Sequence, residues 1–333
     1  MNSVKILHAA DLHLDSPFEG LSAEQAALRR AEQRELLEKI VELARDEEAQ
    51  LLLLAGDLLD SASAYSETAE LLRVALGRID IPVFIAPGNH DFYARRSPYA
   101  RLRLPPHVHI FPTPALACVP LPALGVRVWG AGYQETACPP LLRGFELQKD
   151  GDTLDILVLH AEVDGRGDSP YCPVTREQLK RSGFDYAAFG HVHSFSGLCR
   201  AGDCFYAWPG CPEGRGFDEC GEKGVIALSL APGTCDLRFV PLGTRRYERL
   251  ELPAGEDALA TILAALPPDT GRDIYRIILT GECETAPPMQ SLEQALAGRF
   301  FALGLRDRTT PRRDIWEDSA EDRSEEHTSE LQS

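Results

Sequence analysis

Four short apolar runs constrain this chain more than any other feature: LLLLAG (51–56), PVFIAPG (82–88), LDILVLH (154–160) and DYAAFG (185–190). None alternates apolar with polar residues as a half-solvated strand does. Continuous runs of this length suit strands buried on both faces, the situation of a sheet covered on each side. KILHAA (5–10) is a shorter run of the same kind, and VHIF (108–111) and VRVWGA (126–131) supply further strands. Helical stretches fall between them. Over 22–49, Ser22 and Gln25 form a capping box, and Leu36, Leu37, Ile40, Val41 and Leu43 make an apolar stripe at spacings of three and four. Ser66 caps a second helix running through Arg78, and Thr175 with Gln178 starts another. Strands alternating with helices imply βαβ units and parallel pairing.

GVIALSL (224–230) and TCDLRFVPL (234–242) read as an antiparallel hairpin around an APGT turn. Near residue 245 the pattern changes. ALATILAAL (258–266) is helical, IYRIILTG (274–281) is a strand and SLEQALAGRFFALG (291–304) is helical. The segment from about 245 is therefore expected to be a small separate α/β unit. A length of 333 residues suits one large domain with such an appendage.

No apolar run approaches the roughly 20 residues of a membrane helix, and MNSVKILHAADLH reaches an aspartate too early for a signal peptide. Nine cysteines without any CxxC spacing read as free thiols in a reducing cytoplasm, although Cys199, Cys204, Cys211, Cys220 and Cys235 crowd one region. The net charge of −17 argues against binding nucleic acid through the whole surface. That charge is uneven: no acidic residue lies between Asp91 and Glu135, where Arg95, Arg96, Arg101, Arg103 and Arg127 all fall. The last eleven residues, RSEEHTSELQS, match the translation of a common sequencing adapter, so 323–333 is expected to be foreign to the natural protein and His327 is no ligand candidate.

The polar residues that follow the apolar runs are the informative ones. KILHAA leads into Asp11 and His13, LLLLAG into Asp57 and Asp60, and PVFIAPG into Asn89, His90 and Asp91. LDILVLH ends in His160, and DYAAFG leads into His191 and His193. Each piece alone has a plain structural explanation, since Gly, Asn and Asp favour turns and a lone buried histidine is usually a satisfied core residue. Open α/β sheets, however, bring the carboxyl ends of their strands to one rim. Asp, Asn and His there supply oxygen and nitrogen donors without thiolate, a set that suits manganese, iron or zinc. A bridging aspartate can hold two ions about 3.5–4 Å apart, as two-metal phosphoester hydrolysis requires, with an activated hydroxide as nucleophile.

The order DxH, GDxxD, GNHD, H and GHxH over residues 5–193 resembles the signature of the calcineurin-like metallophosphoesterases. Three segments, HAADLHLDSPFEGL (8–21), FDYAAFGHVH and PGCPEGRGFDECGEKG (209–224), are similar to the DNA-repair exonuclease branch of SbcD-type and YhaO-like proteins. IYRIILTGE and RFFALGLRD resemble the start of that branch's capping domain. The resemblance implies an α/β fold, a β-sandwich of two mixed sheets flanked by helices, with residues 1–244 catalytic and 245–322 a partial C-terminal α/β cap. It implies two divalent ions, Mn2+ by preference. Asp11, His13 and His193 would hold one, Asn89, His160 and His191 the other, and Asp57 would bridge them. His90 would be the catalytic histidine, with Asp91 orienting its ring and Asp60 supporting or structural.

The expected activity is that of a DNA exonuclease or endonuclease in repair, in the cytoplasm. The resemblance further implies an SbcC-like coiled-coil ATPase partner and a homodimer. YARRSPYARLRLP (93–105) places Arg95, Arg96, Arg101 and Arg103 among two tyrosines just after His90. Those guanidiniums either grip DNA phosphates or belong to a solvated basic loop. The glycine-rich 209–224 stretch either approaches a nucleic-acid backbone or is a turn. The rival activities are a phosphoprotein or small-nucleotide phosphatase of the same chemistry and an inactive DNA- or ATPase-binding scaffold.

Overall fold

The computed structural model describes residues 3–61, 66–149, 151, 153–165 and 168–312. The tail 323–333 and the end of the expected cap lie outside these residues. The chain divides into two compact units, with the boundary between Arg246 and Tyr247.

The first unit is built on two six-stranded mixed sheets. One contains β1 (Val4–Ala9), β2 (Leu51–Leu54), β3 (Val83–Ile85), β4 (Val108–Ile110), β13 (Gly224–Ala231) and β14 (Thr234–Pro241), in the order β14-β13-β1-β2-β3-β4. The other contains β5 (Ala117–Leu121), β6 (Val126–Gly130), β7 (Leu154–His160), β10 (Tyr186–Gly190), β11 (Cys199–Ala201) and β12 (Cys204–Ala207), in the order β11-β12-β10-β7-β6-β5. A short pair, β8 (Glu162–Val163) and β9 (Pro173–Val174), lies outside both.

The apolar runs are continuous because each strand has two dry faces. In β2, Leu51 and Leu53 join Val4, Ile6, Ile156, Val158, Tyr186 and Ile226 in the core between the sheets. Leu52 and Leu54 point the opposite way, against Leu37, Ile40 and Val41 of α1 (Ala23–Asp46) and Leu72 and Leu76 of α2 (Ser66–Leu76). The second sheet repeats the scheme: Leu157, Leu159, Ala187 and Phe189 turn outward to Leu179 of α4 (Arg176–Ser182) and to Trp208. The capping boxes of α1 and α4 form as their sequences dictate, Ser22 with Gln25 and Thr175 with Gln178. A single short turn of helix, α3 (Pro98–Arg101), interrupts the arginine-rich segment.

The second unit carries a parallel sheet of β15 (Tyr247–Pro253), β16 (Ile274–Thr280) and β18 (Ala302–Asp307), with α5 (Ala258–Ala265) and α6 (Met289–Leu296) in the connections. A short pair, β17 (Glu282–Cys283) and β19 (Thr310–Pro311), completes it. The helix expected over 291–304 stops early. The chain turns at Gly298, whose φ is 75°, and the following residues become β18, which pairs with β16. Ala302–Leu305 has no helical continuation to offer a face, whereas β16 presents an open edge for pairing.

One buried residue joins the two sheets directly. His8 of β1 is 0% exposed and reaches Tyr186 and Phe189 of β10. The Phe189 carbonyl can only accept, so Nε2 carries the proton and donates across 3.1 Å, and Nδ1 accepts the Tyr186 hydroxyl at 3.0 Å. A second proton would force the Tyr186 hydroxyl to turn from donor to acceptor and would bury a charge. Burial lowers the His8 pKa to about 3, against the raising effect of the Phe189 bond. The unfolded chain binds that proton near pH 6.5, so the contribution of His8 to stability is complete above this pH and is lost below it, by about 1.4 kcal/mol per pH unit. His8→Gln keeps a donor and an acceptor without titrating. Urea unfolding between about pH 7 and about pH 5 should show a shallower acid loss in His8→Gln than in the parent, by roughly that slope.

Candidate metal centre

The strand exits converge because pairing persists beyond the strands. After β1 and β2 end, the Asp11 amide still donates to the Gly56 carbonyl (3.0 Å), that of His13 to Asp57 (2.9 Å) and that of Leu14 to Leu58 (2.9 Å). The two loops run side by side and set Asp11 and His13 against Asp57. The second sheet meets them across the rim: the Tyr133 amide donates to the Pro87 carbonyl at 3.0 Å, and the His191 amide donates to both carboxylate oxygens of Asp11 at 3.1 Å.

This close approach leaves no space for side chains at two glycines. A Cβ on Gly88 would sit 2.3 Å from an Asp57 carboxylate oxygen, and one on Gly190 would sit 1.9 Å from the Ala55 carbonyl. The exits are also bent sharply. Asp11, His13, Asp57 and His191 have φ of 54°, 44°, 50° and 92°, a left-handed region that costs non-glycine residues of order 1–3 kcal/mol each and recurs at functional sites.

Candidate ligand atoms of Asp11, His13 and His193 lie within 4.8 Å of one another, as do those of Asp11, Asp57 and His160, and those of His13, Asp57 and His90. His160 Nε2 stands 3.2 Å from an Asp57 oxygen and 3.0 Å from Asn89 Oδ1. The His191 ring centroid is 5.2 Å from that of His160. All seven residues assigned to metal by resemblance therefore come to one rim. His90 stands beside them, its ring 4.8 Å from that of His13, with its side chain 45% exposed.

Hydrogen bonds fix how three imidazoles present themselves. His13 Nδ1 donates to Asp60 (3.0 Å), His160 Nδ1 to the Ala55 carbonyl (2.9 Å) and His193 Nδ1 to Glu219 (2.7 Å). In each, Nε2 is the atom left facing the carboxylates, at 3.7 Å, 3.2 Å and 3.8 Å from the nearer aspartate oxygen. His13 Nε2 is buried without any hydrogen-bond partner. A lone pair turned into a nest of acceptors is unfavourable unless a cation lies between them. The residues present fit a pair of divalent ions on that ground, and the donors, carboxylate, imidazole and amide oxygen, are of the right chemistry.

The electrostatics agree. Burial raises the Asp11 pKa to about 6 in spite of His160 and His193. Burial opposes ionisation of Asp57 too, but His160 and His13 hold its carboxyl far below the ordinary range. At His160 burial works downward, and the charges of Asp57 and Asp11 overcome it and lift the pKa to about 10. Burial lowers both His13 and His191 to about 4. Those two rings therefore stay neutral, with a nitrogen lone pair each, beside carboxylates that attract a cation.

Asp91 needs a correction. It was expected to orient His90, but its carboxylate faces the other way. It accepts the backbone N–H groups of Asp57 (3.2 Å), Gly88 (2.7 Å), Leu58 (2.7 Å) and Leu59 (3.3 Å), and the Tyr99 hydroxyl. It braces the loop that carries Asp57. His90 is held instead through Asp60, whose backbone carbonyl accepts from Nδ1 at 3.3 Å, while the His90 amide donates to Asp57 Oδ1 at 2.9 Å.

Two residues that no strand-exit pattern points to also reach the site: Glu219, bonded to His193, and Arg215, bonded to Glu219 and Asp60. Both sit in the glycine-rich 209–224 stretch, whose charges in EGRGFDE are the only sequence sign of this. Tyr171 is a third, its ring 4.6 Å from His191.

The calcineurin-like phosphoesterase family model matches residues 4–195, more than half the chain, and the chain belongs to that family. It is similar to the uncharacterized metallophosphoesterase YhaO of Bacillus subtilis (strain 168), with 28% identity over 280 residues, covering 81% of this chain and 68% of the relative. Among solved structures, TT1561 of Thermus thermophilus aligns at 15% identity with a TM-score of 0.41, and a dimetal phosphatase from Danio rerio at 13% with 0.42. Each alignment covers 71% of this chain and 99% of the other.

Two substitutions separate the roles at this rim. His193→Ala should weaken metal binding, whereas His90→Ala should keep the metals and lose roughly 10²–10⁴-fold in hydrolysis. Metal content by mass spectrometry beside turnover of a chromogenic phosphodiester checks the split. Asp91→Ala should instead act on folding. It strands several buried donors at about 1–3 kcal/mol each, so its urea midpoint should fall well below that of the parent.

Proposed function

We propose that this phosphoesterase is a manganese-dependent phosphodiesterase that cleaves DNA. The observation that carries the substrate choice is the segment following His90. Arg95, Arg96, Arg101 and Arg103 are all exposed, and no carboxylate pairs with any of them among the described residues. Tyr99, within the same segment, is buried and bonded to Asp91, which anchors the segment next to the loop that carries Asp57. On a chain of net charge −17, four exposed guanidiniums without carboxylate partners in the segment that follows His90 favour a polyanion. The resemblance to repair exonucleases supports the same substrate, along with an ATPase partner and a homodimer.

Bound divalent ions supply Lewis-acid charge to the phosphoryl oxygens and lower the pKa of a water molecule. The chain's own contribution is geometric and protic. Asp57 Oδ1 takes the His90 amide, which fixes the position of His90 relative to the carboxylate that would hold the ions. Because His90 Nδ1 donates to the Asp60 carbonyl, Nε2 is the atom that handles a proton, and its exposure leaves it open to the leaving oxygen.

Replacing the four arginines with glutamine should reduce DNA cleavage sharply and flatten its salt dependence, by roughly 0.9 in log–log slope per lost phosphate contact. Hydrolysis of bis-nitrophenyl phosphate should persist, because it needs only the metals and His90. Parallel loss of both substrates would make the segment structural. Unchanged DNA cleavage would favour a small-nucleotide phosphatase.

A further inference from the structure

The glycine-rich loop after β12 does more than turn the chain. Arg215 stands between two carboxylates and against one of the histidines: Nη1 donates to Asp60 Oδ1 at 3.2 Å, Nη2 donates to Glu219 Oε1 at 2.7 Å, and Nη2 lies 3.1 Å from His193 Nδ1. Those same two oxygens accept the Nδ1 protons of His13 and His193, at 3.0 Å and 2.7 Å. The two rings lie 5.2 Å apart and turn their Nε2 atoms toward the group they form with Asp11. We infer that Arg215 is a positioning residue that sets both histidines of one metal position, the one shared with Asp11, and leaves the Asn89–His160–His191 position to other supports.

The second position is held by different means. His160 is oriented by a backbone carbonyl, that of Ala55, and His191 is fixed through its own amide on Asp11. No hydrogen bond or ion pair of Arg215 goes to Asn89, His160 or His191 among the described residues. Partners behind a metal-binding imidazole fix its tautomer and ring direction, and losing one typically lowers metal affinity by about 10–100-fold. Arg215 is the common member of two such chains, so its loss should disturb one ion selectively.

The loop is anchored well enough to do this. Glu213, two residues before Arg215, is buried and accepts from Arg29 of α1 at 2.5 Å, and Arg29 is itself 0% exposed. Glu213 also takes the Thr244 amide at 2.7 Å. On the other side, Glu219 Oε2 accepts the Arg215 backbone N–H at 2.7 Å, closing the turn on itself. A guanidinium suits the task because its planar fork spans two carboxylates at fixed directions, which an ammonium does not.

Positioning and simple charge predict opposite signs. Arg215 is a cation near a cation site, so as a bare charge its removal should tighten metal binding. As a positioning residue its removal should weaken it. Glu219→Gln weakens binding on either view and serves as the reference. The inference rests on the two-metal reading of the site and not on DNA as the substrate.

The test is a titration with Mn2+, following free ion by electron paramagnetic resonance, on the parent, Arg215→Ala, Arg215→Lys and Glu219→Gln, with thermal melting in parallel. The parent should take two ions per chain. Arg215→Ala should lose about 10–100-fold at one position and hold the other within about twofold. Arg215→Lys keeps the charge but cannot span both carboxylates, and should show most of the same loss. Tightened or unchanged binding in Arg215→Ala overturns the inference, as does equal weakening of both positions in a variant whose melting is unchanged. Should Arg215→Ala fail to fold, Arg215→Lys decides by the same criteria. A parent that binds fewer than two ions overturns the two-metal reading itself.

Discussion

Two carboxylates buried to 1% exposure or less, Asp11 and Asp57, are what the rest of this structure is arranged around. Moving an isolated carboxylate out of water costs several kcal/mol even after relaxation. Asp11 recovers part of this by accepting the His191 amide on both oxygens, and Asp57 by accepting the His90 amide. The remainder is left for a cation to meet. His13, His160 and His193 each give Nδ1–H to an outer acceptor, which leaves three Nε2 atoms turned toward the carboxylates. Excess negative charge and the unpartnered Nε2 of His13 together define a place for divalent cations.

Such a site needs a rigid frame, and the sandwich provides one. Leucines on both faces of β2 lock the strand before Asp57 between a sheet and two helices. His8 pins β1 to β10 just ahead of the rim. Asp91 gathers four amides of the Asp57 and Gly88 loops, holding Asp57 in a positive-φ conformation that would otherwise relax. The bend strain is thus balanced by buried hydrogen bonds that catalysis does not use.

The outer supports divide the rim unequally. Arg215, Asp60 and Glu219 converge behind His13 and His193, on a loop fastened by the buried Arg29–Glu213 pair. Behind His160 stands a backbone carbonyl. An ion pair network can be altered by one side-chain change, whereas a carbonyl cannot, so the two sides of the rim have different freedom to be tuned by sequence.

Much of this was legible in the chain itself. Continuous apolar runs have no polar face to solvate, so they had to become strands covered on both sides, and β1, β2, β7 and β10 fall where the runs do. Directional chains of strands and helices carry Asp11, Asp57, Asn89, His160 and His191 to strand ends, and that spacing alone fixes them as rim residues. Local capping was equally readable at Ser22 and Thr175. The strand β18 was not: its apolar residues continue a helical spacing, and only the open edge of β16 decides for pairing. Nor was the partner of Asp91, adjacent in sequence to His90 yet turned toward the amides of a loop thirty-odd residues away. Glu219 lies 26 residues beyond His193 and Arg215 lies 155 beyond Asp60, separations at which no local pattern survives. Composition and periodicity determine which segments are buried and which residues stand at their ends. Which carboxylate faces which imidazole depends on how loops close across the rim, and only the packed sheets decide that.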